Sequence, residues 1–321
     1  MHSIIPLLIG WGLDLCAGDP ARLPHPIVAF GRWISFFERK ANHGDHRRAK
    51  GTFWTVATLC TLFLSAHLAL AALWTACLQW EAGGAYLYYL VTGILIFYCL
   101  AGTIREVRRV FRAADRSLEE GRRQVSRIVG RDTSRLSDQE IRTAALETLA
   151  ENLSDGVIAP LFWLYLLGIP GMLTYKMINT MDSMLGYRTE RFKDFGRAAA
   201  RIDDAANYLP ARLTALLMAL AACIPFRQGK SARNLKEELR FIRRYGRMHA
   251  SPNSGYPESA LAGILDCRFG GPHHYFGEYC FKPYIGNRLR PLTTTDMQQA
   301  VAVNWRAEIL MLLTGVLLYL L

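Results

Sequence analysis

The chain has 321 residues, enough for one large domain or two ordinary ones. Apolar types make up 51% of it and the formal net charge is +11, a pairing that fits a membrane protein with basic cytoplasmic loops better than a soluble one. The basic excess comes without a nucleic-acid motif or a basic stripe interleaved with aromatics, so nucleic acid is excluded as the expected partner.

Residues 1–13 are apolar, interrupted by Pro6, and lack a basic n-region and an A-x-A-like site, so the segment is expected to be retained. Asp14 stands at the edge of this run, where an acid is a functional candidate by default. Asp19-Pro20 and Pro24-His25-Pro26 predict a rigid loop, with His25 read as structural, before Gly31-Arg32. Residues 51–80 and 82–104 carry no charge, each long enough to span a bilayer, and Glu81 alone separates them. They read as a hairpin. Arg39, Lys40, Arg47, Arg48 and Lys50 precede it, and Arg105, Arg108, Arg109 and Arg112 follow, so both flanks are expected in the cytoplasm.

The run 156–175 is also long enough, but Pro160, Gly168, Pro170 and Gly171 are expected to break it. Residues 213–226 and 309–321 are shorter, readable as tilted spans, re-entrant segments or core helices. The polar stretches 105–155, 176–212 and 227–306 are all basic and are expected inside. In that case 156–175 and 213–226 cannot each cross completely; the rival topology makes both of them spans and puts 176–212 outside, against its basic Lys176, Arg188, Arg191, Lys193, Arg197 and Arg201. Strand alternation is weak throughout. The expected fold is therefore mostly α, a polytopic α-helical integral membrane protein with a sizeable helical cytoplasmic portion. Its expected division is 1–104, 105–306 and 307–321. Seven cysteines, an odd number without CxxC, argue for small buried hydrophobes over disulfides or zinc.

Four polar stretches carry chemistry. Ser137 and Glu140 form a capping box that predicts a helix from near Asp138. On it Ile141, Ala145, Leu149 and Leu153 share one side, and Glu147, Glu151 and Asp155 the other. That acid row reads either as a solvated face or as a Mg²⁺ site, since the ion takes carboxylate oxygens and shares its shell with phosphates. Asn152, Ser154, Asp155 and Gly156, set directly before an apolar run, favour the second reading.

Further on, Asn179 and Asp182 are helix neighbours, and Gly186 allows a turn. Arg188, Glu190, Arg191 and Asp194 alternate in sign, as a salt-bridged surface helix does. Asp203 and Asn207 are four apart, with Asp204 adjacent and Arg212 beyond Pro210. The loop "SPNSGYPESALAG", residues 251–263, opens a helix at Glu258 and Ser259, with backbone amides suited to an anion. "GGPHHYFGE", residues 270–278, reads as a glycine-rich turn with His273 and His274 as loop residues. No Walker, Rossmann, zincin or nucleophile-elbow motif occurs.

These stretches, in this order, resemble the CobD/CbiB family of cobalamin biosynthesis over nearly the whole chain. The resemblance rests on "GDPARLPHPIVAFGRWI", "ETLAENLSDGVIAPLFW", "NTMDSMLGYRTERFKDFGRAAARIDDAANYLPARLTALL" and "SPNSGYPESALAGIL". It implies a bacterial inner-membrane adenosylcobinamide-phosphate synthase that joins adenosylcobyric acid to (R)-1-amino-2-propanol O-phosphate, with ATP as energy source. That chemistry asks for Mg²⁺, cations on the transferring phosphoryl group and a base for the amine. The expected metal ligands are Glu151, Asp155, Asp182, Asp203 and Asp204, with Glu151, Asp155, Asp182 and Glu258 catalytic and Glu258 the base. Arg188 and Arg212 are expected on phosphate, and Asn152, Asn179, Ser251 and Asn253 on substrate amides or phosphates. Expected partners are the corrinoid, aminopropanol phosphate, the lipid bilayer and later corrinoid-pathway membrane enzymes. The site is expected to face the cytoplasm. A transporter and a non-catalytic membrane scaffold are the competing classes.

Overall fold

A computed structural model describes residues 4–17, 26–187, 189–225, 234–275 and 278–320. In chain order the helices are α1 (Ile5–Ala17), α2 (Pro26–Ala41), α3 (Arg47–Cys77), α4 (Glu81–Cys99), α5 (Ile104–Arg116), α6 (Leu118–Val125) and α7 (Asp138–Leu153). A π-helical turn (Ser154–Ile158) leads into α8 (Ala159–Leu185), followed by α9 (Arg197–Ala206), α10 (Tyr208–Ala222), α11 (Leu235–Tyr245) and α12 (Gly255–Leu265). A hairpin of β1 (Phe269–Tyr275) and β2 (Glu278–Ile285) precedes α13 (Thr294–Leu320). The chain forms two compact units. One holds residues 1–101, 159–207 and 315–321; the other holds 102–158 and 208–314.

Among the described residues, four helical stretches are long and apolar enough to cross a membrane: Arg47–Cys77, Gly83–Arg116, Asp138–Leu185 and Thr294–Leu320. A fifth would join α9 and α10 across a 41° bend. The protein is thus a polytopic helical membrane protein, as the composition predicts. Within α3 only 6% of the apolar window is buried by protein, and Phe53, Val56, Leu64 and Leu68 face outward, which suits lipid contact. The window in Asp138–Leu185 is 61% buried, so protein covers most of that segment.

In the first unit α1 packs on α4 through glycines. A Cβ on Gly10 would sit 2.6 Å from the Ile96 Cγ2, and one on Gly93 would sit 2.6 Å from the Ile9 Cγ2. Backbones this close need small residues on both helices. The core between α2, α3 and α8 gathers Ile34, Phe37, Met177, Met181, Leu185 and Phe195, with Trp54 stacked on Phe37 at 5.8 Å. Helix α8 bends at Gly168, whose φ of 69° and ψ of −165° are open mainly to glycine. Pro170 follows and removes an N–H from the helix. The other breaks expected in this run do not occur: Pro160 lies in the first turn of α8, and Gly171 stays helical.

The alternating charges after Gly186 do not form a surface helix. Residues 189–196 are turns, and their charges bind other elements. Arg191 grips the buried Glu38 of α2 in a fork, at 3.1 and 3.0 Å, and Asp194 lies 3.8 Å from Arg47. Arg188 and the loop 18–25, with Asp19, Pro20, Pro24 and His25, lie outside the described residues.

In the second unit α5 turns Ile104, Val107, Val110 and Phe111 inward and its arginines outward. The capping box at the start of α7 is present as predicted. Ile141, Ala145, Leu149 and Leu153 are buried, but so are Ala144, Leu146, Glu147 and Thr148, so α7 is covered on most sides. Arg290 binds Asp296 with two hydrogen bonds at the start of α13. The antiparallel β1–β2 pair, with Phe269 opposite Ile285 and Gly271 opposite Lys282, corrects the expected turn at 270–278. His273 and His274 are strand residues, and their side chains lie outside the described set. The cysteine expectation holds for Cys77, Cys99 and Cys267, which are buried, but Cys16 and Cys60 are exposed.

Gly93→Leu should destabilise the protein by about 1–3 kcal/mol, because the α1–α4 contact leaves no room for the side chain. Gly12→Ala, with nothing within 4 Å of the new Cβ, should leave the thermal unfolding midpoint in detergent unchanged or raised. Equal midpoints for the two variants would refute this contact as the constraint.

Candidate functional site

The second unit contains a buried ionic cluster built on α7, α12 and the hairpin. Glu147, 3% exposed, receives a hydrogen bond from Arg131 on one oxygen and from the Gly270 backbone N–H on the other, at 2.8 Å. Gly270 has φ +80°, and a Cβ there would lie 2.3 Å from the Pro283 carbonyl oxygen, so the approach of β1 to Glu147 depends on glycine. The acid row along α7 is therefore no solvated face. Glu147 is an internal anchor, and Glu151 and Asp155 are half-buried.

One turn further, the Glu151 Oε1 accepts from the Ser254 hydroxyl at 3.0 Å. Ser254 belongs to the loop before α12. The Ser251 hydroxyl holds that loop by accepting from the Asn253 and Ser254 backbone N–H groups at 3.2 and 3.4 Å. Asn253 is buried, and its Oδ1 accepts from Arg212 Nη1 at 3.2 Å. The Arg212 guanidinium lies between the rings of Tyr208 and Tyr256, at 3.5 and 4.1 Å from their centres. The structure thus joins Glu151, Ser251, Asn253 and Arg212 in one contact chain. Glu258 of α12 and His249 complete the buried part, with Glu258 Oε1 3.8 Å from His249 Nε2.

Their protonation follows from the surroundings. Burial, then the Glu147 and Glu151 charges, raise the Glu258 carboxyl well above the ordinary carboxylate range, against Lys282 and Arg131. Burial, then Lys282, lower His249, against Glu151 and Glu147. His249 Nδ1 accepts from the Ser251 N–H at 3.0 Å, so the neutral ring carries its proton on Nε2. Both shifts favour the neutral forms, beside a Glu147 held by Arg131 and the Gly270 N–H. Composition and spacing gave no reason to join Arg131, His249, Ser254 and Lys282 to this centre. The tandem Ser, Asn and Ser before Glu258 was the one local signal for part of it.

The first unit holds a second polar group. The Asn207 amide donates to Asp203 Oδ2 at 3.1 Å, and its Oδ1 accepts from the Tyr175 hydroxyl at 2.8 Å. Asn179 and Asp182 lie in the last turns of α8, and with Asp203 and Asp204 they are half-buried. The five acids expected to share a metal thus divide between the units: Glu151 and Asp155 in one, Asp182, Asp203 and Asp204 in the other. Asn152 lies half-buried beside Glu151.

A polytopic helical membrane protein with a buried ionic centre next to a polar loop that contacts an arginine of α10 is the class these features define. The chain belongs to the CobD/Cbib family, whose sequence model matches residues 7–304. It is 42% identical over 309 residues to the cobalamin biosynthesis protein CobD of Geobacter metallireducens, covering 94% of this chain and 92% of that one. It is 38% identical to CobD of Citrobacter koseri and 39% identical to CbiB of Salmonella typhimurium, each over 97% of this chain and 95% of the other. No solved structure matches the chain.

The Glu258 carboxyl makes a testable pH dependence. Its folded pKa is raised, so its contribution to stability is complete below the unfolded value near 4.5 and is lost as pH rises through the folded one. His249 acts with the opposite sign, opposing the fold as pH falls below its ordinary 6.5. Above the ordinary imidazole range His249 adds no further pH dependence, and there Glu258→Gln should flatten the fall in unfolding midpoint with rising pH seen in the unmodified protein. Parallel pH profiles for the two would refute the neutral, buried carboxyl.

Proposed function

We propose that the protein takes part in cobalamin biosynthesis as an ATP-dependent amide synthase, joining adenosylcobyric acid to (R)-1-amino-2-propanol O-phosphate. Family membership and the names of the relatives support the pathway. The observation that carries the chemistry is the loop 251–254, which touches Arg212 through Asn253 and Glu151 through Ser254. A cation for phosphate and a carboxylate for a proton therefore stand on two sides of one short loop.

In the proposed reaction a corrinoid carboxylate oxygen attacks the γ-phosphorus of ATP. The bond from that phosphorus to the ADP oxygen breaks, and an acyl phosphate forms. The amine nitrogen then attacks the acyl carbon, the carbon–oxygen bond to phosphate breaks, and inorganic phosphate leaves. The nitrogen gives up a proton. Glu258 is less suited to take it, because burial and the neighbouring carboxylates favour its protonated form. Glu151, half-buried and accepting only a hydroxyl donor in the contacts described above, is the better acceptor. Arg212, fixed by two tyrosine rings, would hold phosphate charge, a task suited to its planar fork.

Among the described residues no three His, Cys, Asp or Glu side chains gather as a metal site. Mg²⁺ bound to a nucleotide keeps several waters and needs only one or two protein carboxylates. Glu151 and Asp155 suit that demand in the second unit, and Asp182, Asp203 and Asp204 suit it in the first. The ion would neutralise phosphate charge during transfer. The basic flanks of the α3–α4 hairpin favour a cytoplasmic site in a bacterial inner membrane.

The test uses purified full-length protein in detergent with Mg²⁺, ATP, adenosylcobyric acid and aminopropanol phosphate. The expected result is a corrinoid with the mass of the amide, formed only with ATP, with ADP released in equal amount. Glu151→Gln should slow it about 100-fold. Absence of the amide with all substrates present overturns the ligase reading, and a Glu151→Gln rate within about twofold of the unmodified one removes Glu151 from the chemistry.

A further inference from the structure

Beside Arg212 the second unit has an open cleft of about 350 Å³ that the acid-centred reading leaves unused. It is lined by Arg212, Arg243, Arg247 and Tyr256, over an apolar floor that includes Leu239 and Ile242. Arg243 and Arg247 are exposed, and among the described residues no carboxylate forms a salt bridge with Arg212, Arg243 or Arg247. Tyr256 lines the cleft beside Arg247, and its ring lies 4.1 Å from the Arg212 guanidinium. The buried arginines of this unit are matched with acids, Arg131 with Glu147 and Arg142 with Asp115 and Asp138, whereas the three in the cleft face open space together. Three unmatched guanidiniums around one concavity make a strong anion site. Arginine forks match the tetrahedral oxygens of a phosphate.

We infer that this cleft binds the phosphomonoester end of the amine substrate, through Arg212, Arg243 and Arg247. The inference rests on the ligase reading for the identity of that substrate. The cleft lies at the small end of the range for ligand pockets, which fits a three-carbon phosphate better than a whole nucleotide. The apolar floor suits a short alkyl chain. Asn253, hydrogen-bonded to Arg212, leads through the next residue, Ser254, to Glu151, so the wall that holds the phosphate continues to the carboxylate proposed to take the amine proton. The phosphate thus serves as a handle. It fixes the amine without taking part in the reaction, and it explains why a phosphorylated amine would be preferred to the free one.

The experiment compares the full-length protein with Arg243→Gln/Arg247→Gln and with the conservative Arg247→Lys, all in detergent. The double variant should raise the KM for aminopropanol phosphate at least about tenfold, leave the KM for ATP within about twofold, and lose the preference over free aminopropanol. Arg247→Lys should fall between. Inorganic phosphate should compete with aminopropanol phosphate in the unmodified protein, and weakly in the double variant. An unchanged KM for the amine overturns the proposal, as does a rise in the KM for ATP instead, which would assign the cleft to nucleotide. The same assays in nanodiscs of neutral lipid and of anionic lipid separate a headgroup site: an effect confined to anionic lipid also overturns it. If the unmodified protein forms no amide, calorimetry with aminopropanol phosphate and with inorganic phosphate decides the cleft alone. Binding lost in the double variant supports the phosphate site while the ligase reading fails; equal binding by both proteins refutes the site.

Discussion

The buried carboxylate of Glu147 is the constraint on which the second unit depends. Its two oxygens are taken by Arg131 and by the Gly270 N–H, so one side chain ties the segment before α7, α7 itself and β1 together. An ion pair at this depth stabilises little compared with a well-packed apolar substitute, but loss of one partner leaves the other charge stranded at about 3–5 kcal/mol. The arrangement is therefore fixed by the cost of breaking it. It also governs its neighbours. With Glu147 ionised and Glu151 nearby, a third charge on Glu258 would be repelled, and burial adds to that cost.

The helices divide by what surrounds them. Most of the apolar window of helix α3 is left uncovered by protein, so its outward side chains need only be hydrophobic, while Gly51, Thr55 and Thr58 are buried. Helix α8 is largely enclosed and carries Lys176, buried, together with Asn179 and Asp182 toward its end. Polar groups in a spanning segment are tolerable where protein replaces the water they lose. The bend at Gly168 is allowed on the same terms, since a freed backbone carbonyl in a covered helix can find another donor.

Local signals were legible and long-range ones were not. The capping box at Ser137 and Glu140 and the hairpin around Glu81 depend on neighbours in sequence and appear where the residues put them, and the helix expected to open at Glu258 and Ser259 forms but begins earlier, at Gly255. The hairpin at 269–285 was hidden because Gly-Gly-Pro-His-His shows no alternation, and its strands are set by the fit of Gly270 against Glu147 and Pro283. The segment after Gly186 looked like a self-paired helix because opposite charges alternate there; Glu38, far away in sequence, outcompeted the local partners. Arg131 and His249 stand in polar stretches with nothing nearby to mark them, and only folding brings them to Glu147 and Glu258.

The π-helical turn after α7 shows why the acid row could be seen but not interpreted from spacing. In a continuous α-helix Glu147, Glu151 and Asp155 would stack on one side and share one environment. At residues 154–158 the bonding changes from i→i+4 to i→i+5, which adds a residue to the turn and shifts Asp155 around the axis relative to Glu151. The turn also buries Ser154, whose hydroxyl has no hydrogen-bond partner among the described residues. A buried hydroxyl and an irregular turn both cost stability, and they coincide where the chain passes from the carboxylate-bearing helix into the apolar one. Such local costs persist where a side chain must point in a direction that regular geometry forbids. Here the three acids become three different groups: Glu147 an anchor, Glu151 a carboxylate in contact with the loop before α12, and Asp155 a half-buried acid at the break. One repeat in the sequence therefore supports three separate tasks, because the helix carrying it does not stay regular.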